Sequence, residues 1–312
     1  MAKLAKIKGD ASFRSFFRKK VNHQSSIIVY AKKEKLKNLL VYDAINKILN
    51  KNKILAPKLY KQRYDKNFIE IEDFGKETVF KILKKKKKNK FSYFSQIIKL
   101  LIKIQSIKDR KVKNFKNQNY TIPKYDKKIL INEANLFCDW YVKNNFSRLR
   151  KKNFCKKFKK IVKELTLKLR LKNNIFVHRD FHVSNLMLVN DRIGLIDSQD
   201  ALIGNKAYDL VSLIDDVRFK SSSSFKEKIF NFYIKKNKKL DKKKFKNDFE
   251  ILSVLRNLKI IGIFTRLALR DRKKNYLKLI PYAWKLINMR IGQNQVFIDL
   301  KNLLSQNFKK IK

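Results

Sequence analysis

The chain has 312 residues, with 78 Lys and Arg against 26 Asp and Glu, a formal charge of +52 and an apolar share of 44%. That apolar share is globular and argues against a disordered chain despite the charge, and no uninterrupted apolar run approaches the length of a membrane span. Cys138 and Cys155 form no C-x-x-C pair and point to neither zinc nor a disulfide framework, and Met1–Lys8 lacks the apolar core of a signal peptide, so a cytoplasmic protein dividing into two lobes is expected.

Taken in chain order, Gly9-Asp10-Ala11-Ser12 precedes β signals at Ser12 to Arg18 and Ser26 to Ala31. The four residues read as an ordinary turn or as a loop over phosphates, since a glycine before a strand allows close backbone approach and Ser12 adds a hydroxyl donor. Apolar residues at Leu36, Leu39, Leu40, Ile45, Ile48 and Leu49 predict a helix, and Phe68-Ile69-Glu70-Ile71 returns to strand. Glu72-Asp73-Phe74-Gly75 is then either a hinge or a simple strand end. A boundary there gives residues 1–74 and 75–312 as the two lobes. Phe91, Phe94, Ile97, Ile98, Leu101 and Ile104 recur at helical spacing, and most of the remainder reads as helix. Neither G-x-x-x-x-G-K-[ST] nor G-x-G-x-x-G occurs, which excludes a P-loop kinase and gives no support to a dinucleotide fold.

The exception to the helical second half is the stretch from Val177 to Asp197. Leu186–Val189 and Ile193–Ile196 are short apolar runs separated by the turn pair Asn190-Asp191, so they predict a β-hairpin with Asn185 and Asp197 at its open end. Asp180 lies in the loop leading into it, within His178-Arg179-Asp180-Phe181-His182-Val183-Ser184-Asn185. An Asp-x-x-x-x-Asn followed by a second Asp is what kinase-type phosphoryl transfer requires. One carboxylate orients the attacking hydroxyl, and two oxygen-bearing side chains hold magnesium without any Cys or His ligand. Asp180 is thus the candidate catalytic residue, with Asn185 and Asp197 the candidate metal ligands. A phosphate-reaching lysine is sought at the end of the second strand, where Lys32-Lys33 stand; a solvated strand end is the other reading.

These residues carry a resemblance. His178–Met187, Ile196-Asp197-Ser198-Gln199-Asp200-Ala201, Gly204 and Ala207–Leu213 resemble the aminoglycoside phosphotransferase superfamily of small-molecule kinases. Gly9–Arg14 and Leu258–Arg266 are similar, within it, to the bacterial N-acetylmuramate/N-acetylglucosamine anomeric kinases. The resemblance implies a protein-kinase-like α+β fold in two lobes, a small mixed β/α N-lobe for the nucleotide and a larger, mainly α C-lobe. It implies ATP and Mg2+ as cofactors, the Gly9 and Ser12 loop and Lys32 at the phosphates, Glu72 beside the adenine pocket, and an amino sugar as acceptor in cell-wall recycling. Ser198 departs from the group, which has Phe after the metal-binding Asp. Another small-alcohol kinase, acting on choline or an aminoglycoside, is the alternative.

Glu133 and Trp140 are sugar contacts or one face of a core helix, since aromatic faces stack on pyranose rings and carboxylates bind hydroxyls. Arg266 and Arg270 lie one helical turn apart and hold an anionic sugar or simply make surface ion pairs. Asp209 is a helix cap or a buried support for the catalytic loop. The charge of +52 alone would suggest nucleic acid, but the basic residues are spread along the chain and no recognised nucleic-acid motif occurs. Abundant Lys, Asn, Ile and Phe with scarce Gly and Pro is the bias of an A+T-rich coding sequence. No specific nucleic-acid partner and no membrane span are therefore expected, a basic scaffold without catalysis being the contrasting class. The sequence sets no oligomeric state.

Overall fold

Alternation of side chains builds the first sheet. In β3 (Gln24–Tyr30), Ile27 and Val29 are buried, and they pair across the ladder with Ile71 and Ile69 of β5 (Phe68–Glu72), so β-branched residues meet on one face. The sheet is antiparallel in the order β1-β2-β3-β5-β4, with β1 (Lys3–Ile7), β2 (Ser15–Val21) and β4 (Leu59–Arg63) completing it. The computed structural model describes residues 3–7, 14–22, 24–32, 38–85, 89–292 and 294–309. Helix α1 (Asn38–Lys51) lays Leu39 and Tyr42 on the buried face of the sheet, closing a core with Ile27, Val29, Ala31, Ile69 and Ile71.

Packing divides the chain into two units, residues 1–123 with 175–203, and residues 124–174 with 204–312. The first unit adds α2 (Val79–Lys85), α3 (Lys90–Gln105) and the small ladder of β6 (Lys111–Lys113) with β7 (Asn119–Thr121). It also contains the hairpin of β9 (Leu186–Val189) and β10 (Arg192–Leu195), while β8 (Asn173–Val177) and β11 (Leu202–Asn205) lead the chain into and out of that segment. The sequence boundary at 74/75 falls two residues beyond the end of β5, whereas the packing units are drawn differently and place residues 75–123 and 175–203 with the sheet.

Backbone hydrogen bonds explain that placement. Leu195 N–H donates to Leu55 O at 2.8 Å, Leu188 N–H donates to Glu77 O at 3.0 Å, and Thr78 bridges to Met187. Gly194 admits the ring of Phe74, because a Cβ there would lie 2.8 Å from a ring carbon. A larger residue at 194 would expel the aromatic ring that follows β5.

The second unit is helical. Helix α4 (Lys127–Leu136) continues directly into a π-helix at Phe137–Val142, followed by α5 (Lys143–Asn145), α6 (Arg148–Leu167), α7 (Tyr208–Ile214), α8 (Ser223–Lys236), α9 (Lys242–Leu269), α10 (Ile280–Ile291) and α11 (Ile298–Asn307). Most of α9 is buried, so it has no polar face and runs as a central helix. Gly262 lets it approach the start of the π-helix, where a Cβ would stand 2.3 Å from Leu136 O. Around the crossing, Phe137 packs on Phe154, Phe158, Trp284 and Phe308. Asp215, fully buried, accepts from Ser253 Oγ at 2.6 Å, from Lys226 Nζ at 3.1 Å and from Arg290 Nε at 3.0 Å. Burial pushes the Asp215 carboxyl up, but Arg290 and Lys226 outweigh it and hold the group below the usual carboxylate range.

Candidate active site

The hairpin forms where its sequence predicts. Asn190 and Asp191 both adopt positive φ, 45° and 57°, which suits residue types that tolerate the left-handed region and matches the twist of a tight hairpin. Leu186 pairs with Leu195, and Ile196 N–H donates to Asn185 O at 3.1 Å, so Asn185 and Asp197 emerge together at the open end. The Asn185 amide nitrogen donates to Asp180 O at 3.1 Å, and His182 N–H donates to the same carbonyl at 3.0 Å. The loop carrying Asp180 is therefore fixed to the residue that begins the hairpin. Arg179 and Asp197 sit at φ 72° and 64°, unusual for residues with a Cβ and common where geometry serves a site. His178 is fully buried, and burial lowers its imidazole pKa despite the nearby carboxylates of Asp180 and Asp197.

The site continues into the sheet. Arg14, directly before β2, donates from Nη2 to Asp197 Oδ1 at 2.7 Å and from Nη1 to Gln199 Oε1 at 2.9 Å. Its guanidinium lies 5.4 Å from the ring centre of Phe16 and 6.0 Å from that of Tyr42. Burial pushes the Tyr42 hydroxyl up to about 12, so it stays a neutral phenol. Ser198, where the resembling group has Phe, donates to Asn46 Oδ1 at 2.5 Å, and the Asn46 amide in turn donates to Pro57 O at 3.0 Å. That hydrogen bond anchors the residue after Asp197 to α1. Sequence reasoning singled out none of Arg14, Tyr42, Asn46 and Gln199 individually; Arg14 and Gln199 carried a signal as members of the Gly9–Arg14 and Ile196–Ala201 motifs, Tyr42 and Asn46 none.

The donor set suits a hard cation. Among the described residues, neither Asn185 Oδ1 nor Asp197 Oδ2 takes a hydrogen bond, and both are oxygens of the kind magnesium prefers, used one or two at a time together with phosphates. Lys32 follows β3 and is exposed. Glu72 ends β5 with its carboxylate accepting from Lys58 N–H at 3.2 Å, and the next residue, Asp73, accepts from Arg18 at 2.5 Å and from Gly75 N–H at 2.9 Å. Gly75, at φ 83°, turns the chain there. Burial raises the Asp73 carboxyl, but the bonds from Arg18, Ser25 and Gly75 outweigh it and the net direction is down. Gly9, Ser12 and Lys33 lie outside the described residues.

In the second unit, both oxygens of Glu133 are engaged: Lys259 Nζ pairs with Oε1 at 2.8 Å and the Tyr125 hydroxyl donates to Oε2. Trp140 is half-buried within the π-helix. The Arg266 Nε is buried without a hydrogen-bond partner, and burial lowers the pKa of its guanidinium, while Arg270 pairs with Asp271 at 2.7 Å. Asp209 does not cap α7, whose N-cap is Ala207; it is a buried residue of the first turn.

Residues 3–242 match the model of the phosphotransferase enzyme family (APH), and the chain belongs to that family. It is 27% identical over 278 residues to the N-acetylmuramate/N-acetylglucosamine kinase of Neisseria meningitidis serogroup B, covering 87% of this chain and 80% of the relative. The enzyme of the same name from Pseudomonas aeruginosa is 26% identical over 310 residues, covering 97% of this chain and 88% of the relative. Among solved structures, the ADP-bound aminoglycoside phosphotransferase APH(2'')-Ib superposes with a TM-score of 0.61 at 17% identity, covering 91% of this chain and 94% of that one. The Plasmodium vivax ethanolamine kinase gives 0.63 at 14% identity, covering 91% and 81%. The fold is the kinase-like α+β fold, and the chain is a phosphotransferase acting on a hydroxyl acceptor. No helix among the described residues is long and apolar enough to cross a membrane.

Proposed function

We propose that this enzyme is an ATP-dependent amino-sugar kinase that phosphorylates the anomeric hydroxyl of N-acetylmuramate or N-acetylglucosamine, in the cytoplasm, as a step of cell-wall recycling. The observation that carries the kinase chemistry is the meeting of Asn185 and Asp197 at the open end of the hairpin, with Asp180 tied to Asn185 through its carbonyl. The sugar is supported by two relatives that bear that name and align along most of the chain.

Asp180 orients the acceptor hydroxyl and takes its proton late, as the new oxygen–phosphorus bond forms and ADP departs with the bridging oxygen. Asn185 Oδ1 and Asp197 Oδ2 are the oxygens that would hold magnesium, which supplies positive charge to the phosphate oxygens. An anomeric hydroxyl is more acidic than an ordinary alcohol, which eases the proton transfer asked of a carboxylate. Gly9, Ser12, Lys32 and Glu72 remain the proposed nucleotide contacts. Arg266, with Nε lacking a partner, is the proposed cation for the carboxylate of N-acetylmuramate, and Trp140 the proposed stacking surface. Glu133, engaged by Lys259 and Tyr125, remains a proposed sugar contact, its carboxylate held in place by those two partners.

An ADP-release screen over amino sugars, aminoglycosides and choline tests the substrate class. With N-acetylmuramate, reducing ends should disappear in step with ADP formed; ADP accumulating with reducing ends intact rejects transfer to C1. Asp180→Ala should lower turnover by about 10³-fold while Mg·ATP binding survives. Near-normal turnover in that variant would remove Asp180 from its role.

A further inference from the structure

We infer that Arg14 is the positioning residue of the metal site, holding Asp197 so that one carboxylate oxygen is fixed and the other is presented to the cation. The inference rests on the kinase reading and deepens it.

Two cations compete for attention at one end of the sheet. Ser15 pairs with Tyr30, so Arg14 and Ala31 are neighbours across the β2–β3 ladder, and Lys32 is one residue further on. Lys32 is exposed, whereas Arg14 is 6% exposed and directed inward to Asp197 and Gln199. Strand β3, Gln24–Tyr30, contains no basic residue at all. Among the described residues at this end of the sheet, the positive charge that reaches the catalytic hairpin therefore belongs to an arginine on β2's side of the ladder.

The geometry is that of a fixed support. A guanidinium offers a planar fork of donors, and here one arm takes Asp197 Oδ1 and another takes Gln199 Oε1, so the position of the fork relative to the hairpin is set twice. The rings of Phe16 and Tyr42 bound it further. Side-chain exposure is 4% for Arg14 against 36% for Asp197, so the arginine is enclosed while the aspartate still faces outward. With Oδ1 occupied, Oδ2 is the oxygen left to a metal. A lysine at 14 would bring charge but no fork, and could not hold Asp197 and Gln199 in one plane.

The test is the magnesium dependence of ADP binding, measured by calorimetry on the full chain, with turnover followed separately. Groups that orient metal ligands typically change metal affinity by about 10–100-fold when removed. Arg14→Met should raise the magnesium concentration needed for half-maximal enhancement of ADP affinity by about 10-fold or more, leaving ADP affinity in chelator unchanged; Arg14→Lys should recover part of the loss. A merely structural arginine would weaken binding with and without magnesium alike, and that result, or an unchanged magnesium dependence, overturns the inference. Should Arg14→Met fail to fold, Gln199→Met leaves the ion pair but removes the second hold, and must shift the magnesium dependence in the same direction by a smaller factor. A wild-type protein without magnesium-dependent ADP affinity would overturn this inference together with the kinase reading. One with such affinity that phosphorylates no hydroxyl would overturn only the kinase reading.

Discussion

Asp197 and Asp215 are both paired with an arginine, yet the two carboxylates are used in different ways. Asp215 is wholly buried and its oxygens receive Arg290, Lys226 and the Ser253 hydroxyl, so its capacity to accept is filled by the protein. Asp197 receives Arg14 on one oxygen only and keeps the other toward solvent. Saturation, more than the presence of an ion pair, separates a carboxylate that holds helices together from one that remains ready for a ligand. The surroundings differ accordingly: left-handed backbone and a polar chain through Ser198 and Asn46 beside Asp197, partners from the three helices α8, α9 and α10 around Asp215.

The contrast breaks most readily at Asp197. Asp197→Asn keeps an acceptor for Arg14 and tolerates the left-handed backbone, but removes the charge a metal needs, so turnover should fall by about 10²–10⁴-fold with little change in melting temperature. A large loss of stability with turnover retained in the folded fraction would make Asp197 a second Asp215. The reciprocal variant, Asp215→Asn, leaves Lys226 and Arg290 buried beside a neutral group and should cost about 3–5 kcal/mol in chemical denaturation, while kcat of the folded enzyme stays within a few-fold. A melting curve unaltered by that change would show that the buried triad contributes nothing.

Smaller effects sharpen the picture. Gly262→Ala forces a methyl group against the backbone of Leu136 and should destabilise by about 1–3 kcal/mol, measured by denaturant midpoint at constant slope; a neutral result would mean the crossing of α9 and the π-helix is not close-packed in solution. The least of the effects is in pH. The Asp215 carboxyl is held low in the folded state, so its stabilisation is complete above the unfolded value near 4 and is lost as pH falls through the folded one. Melting temperature plotted against pH should therefore drop more steeply below about pH 4 in the wild type than in Asp215→Asn. Parallel acid limbs would exclude Asp215 as the source.

Much of this was legible in the sequence, and for physical reasons. Leu186–Val189 and Ile193–Ile196 around Asn190-Asp191 predict the hairpin because strand period and turn chemistry agree, and β9 and β10 form there. Strands β3 and β5 and helices α1 and α3 likewise follow their apolar spacing. The short strands β1, β4, β6 and β7 did not announce themselves, being rich in lysine and other polar residues and partly exposed, so no alternation marks them. Arg14 could not be singled out by local pattern, since its partners are 183 and 185 residues away. Glu133 and Trp140 share one sequence stretch, but the ion pair that engages Glu133 comes from Lys259 on another helix. The π-helix has no signature that a 3.6-residue period could detect.

The hairpin has one more consequence. Four residues descend β9, two turn, and four return along β10, and that count brings position 185 level with position 196, so that Asp197 is the next residue beyond the pair. Side chains alternate faces at each step, so loss of a single residue from either strand would slide one partner by about 3.4 Å and point it to the opposite face. The spacing of the two oxygen donors is thus written as chain length, with the two-residue turn as its ruler.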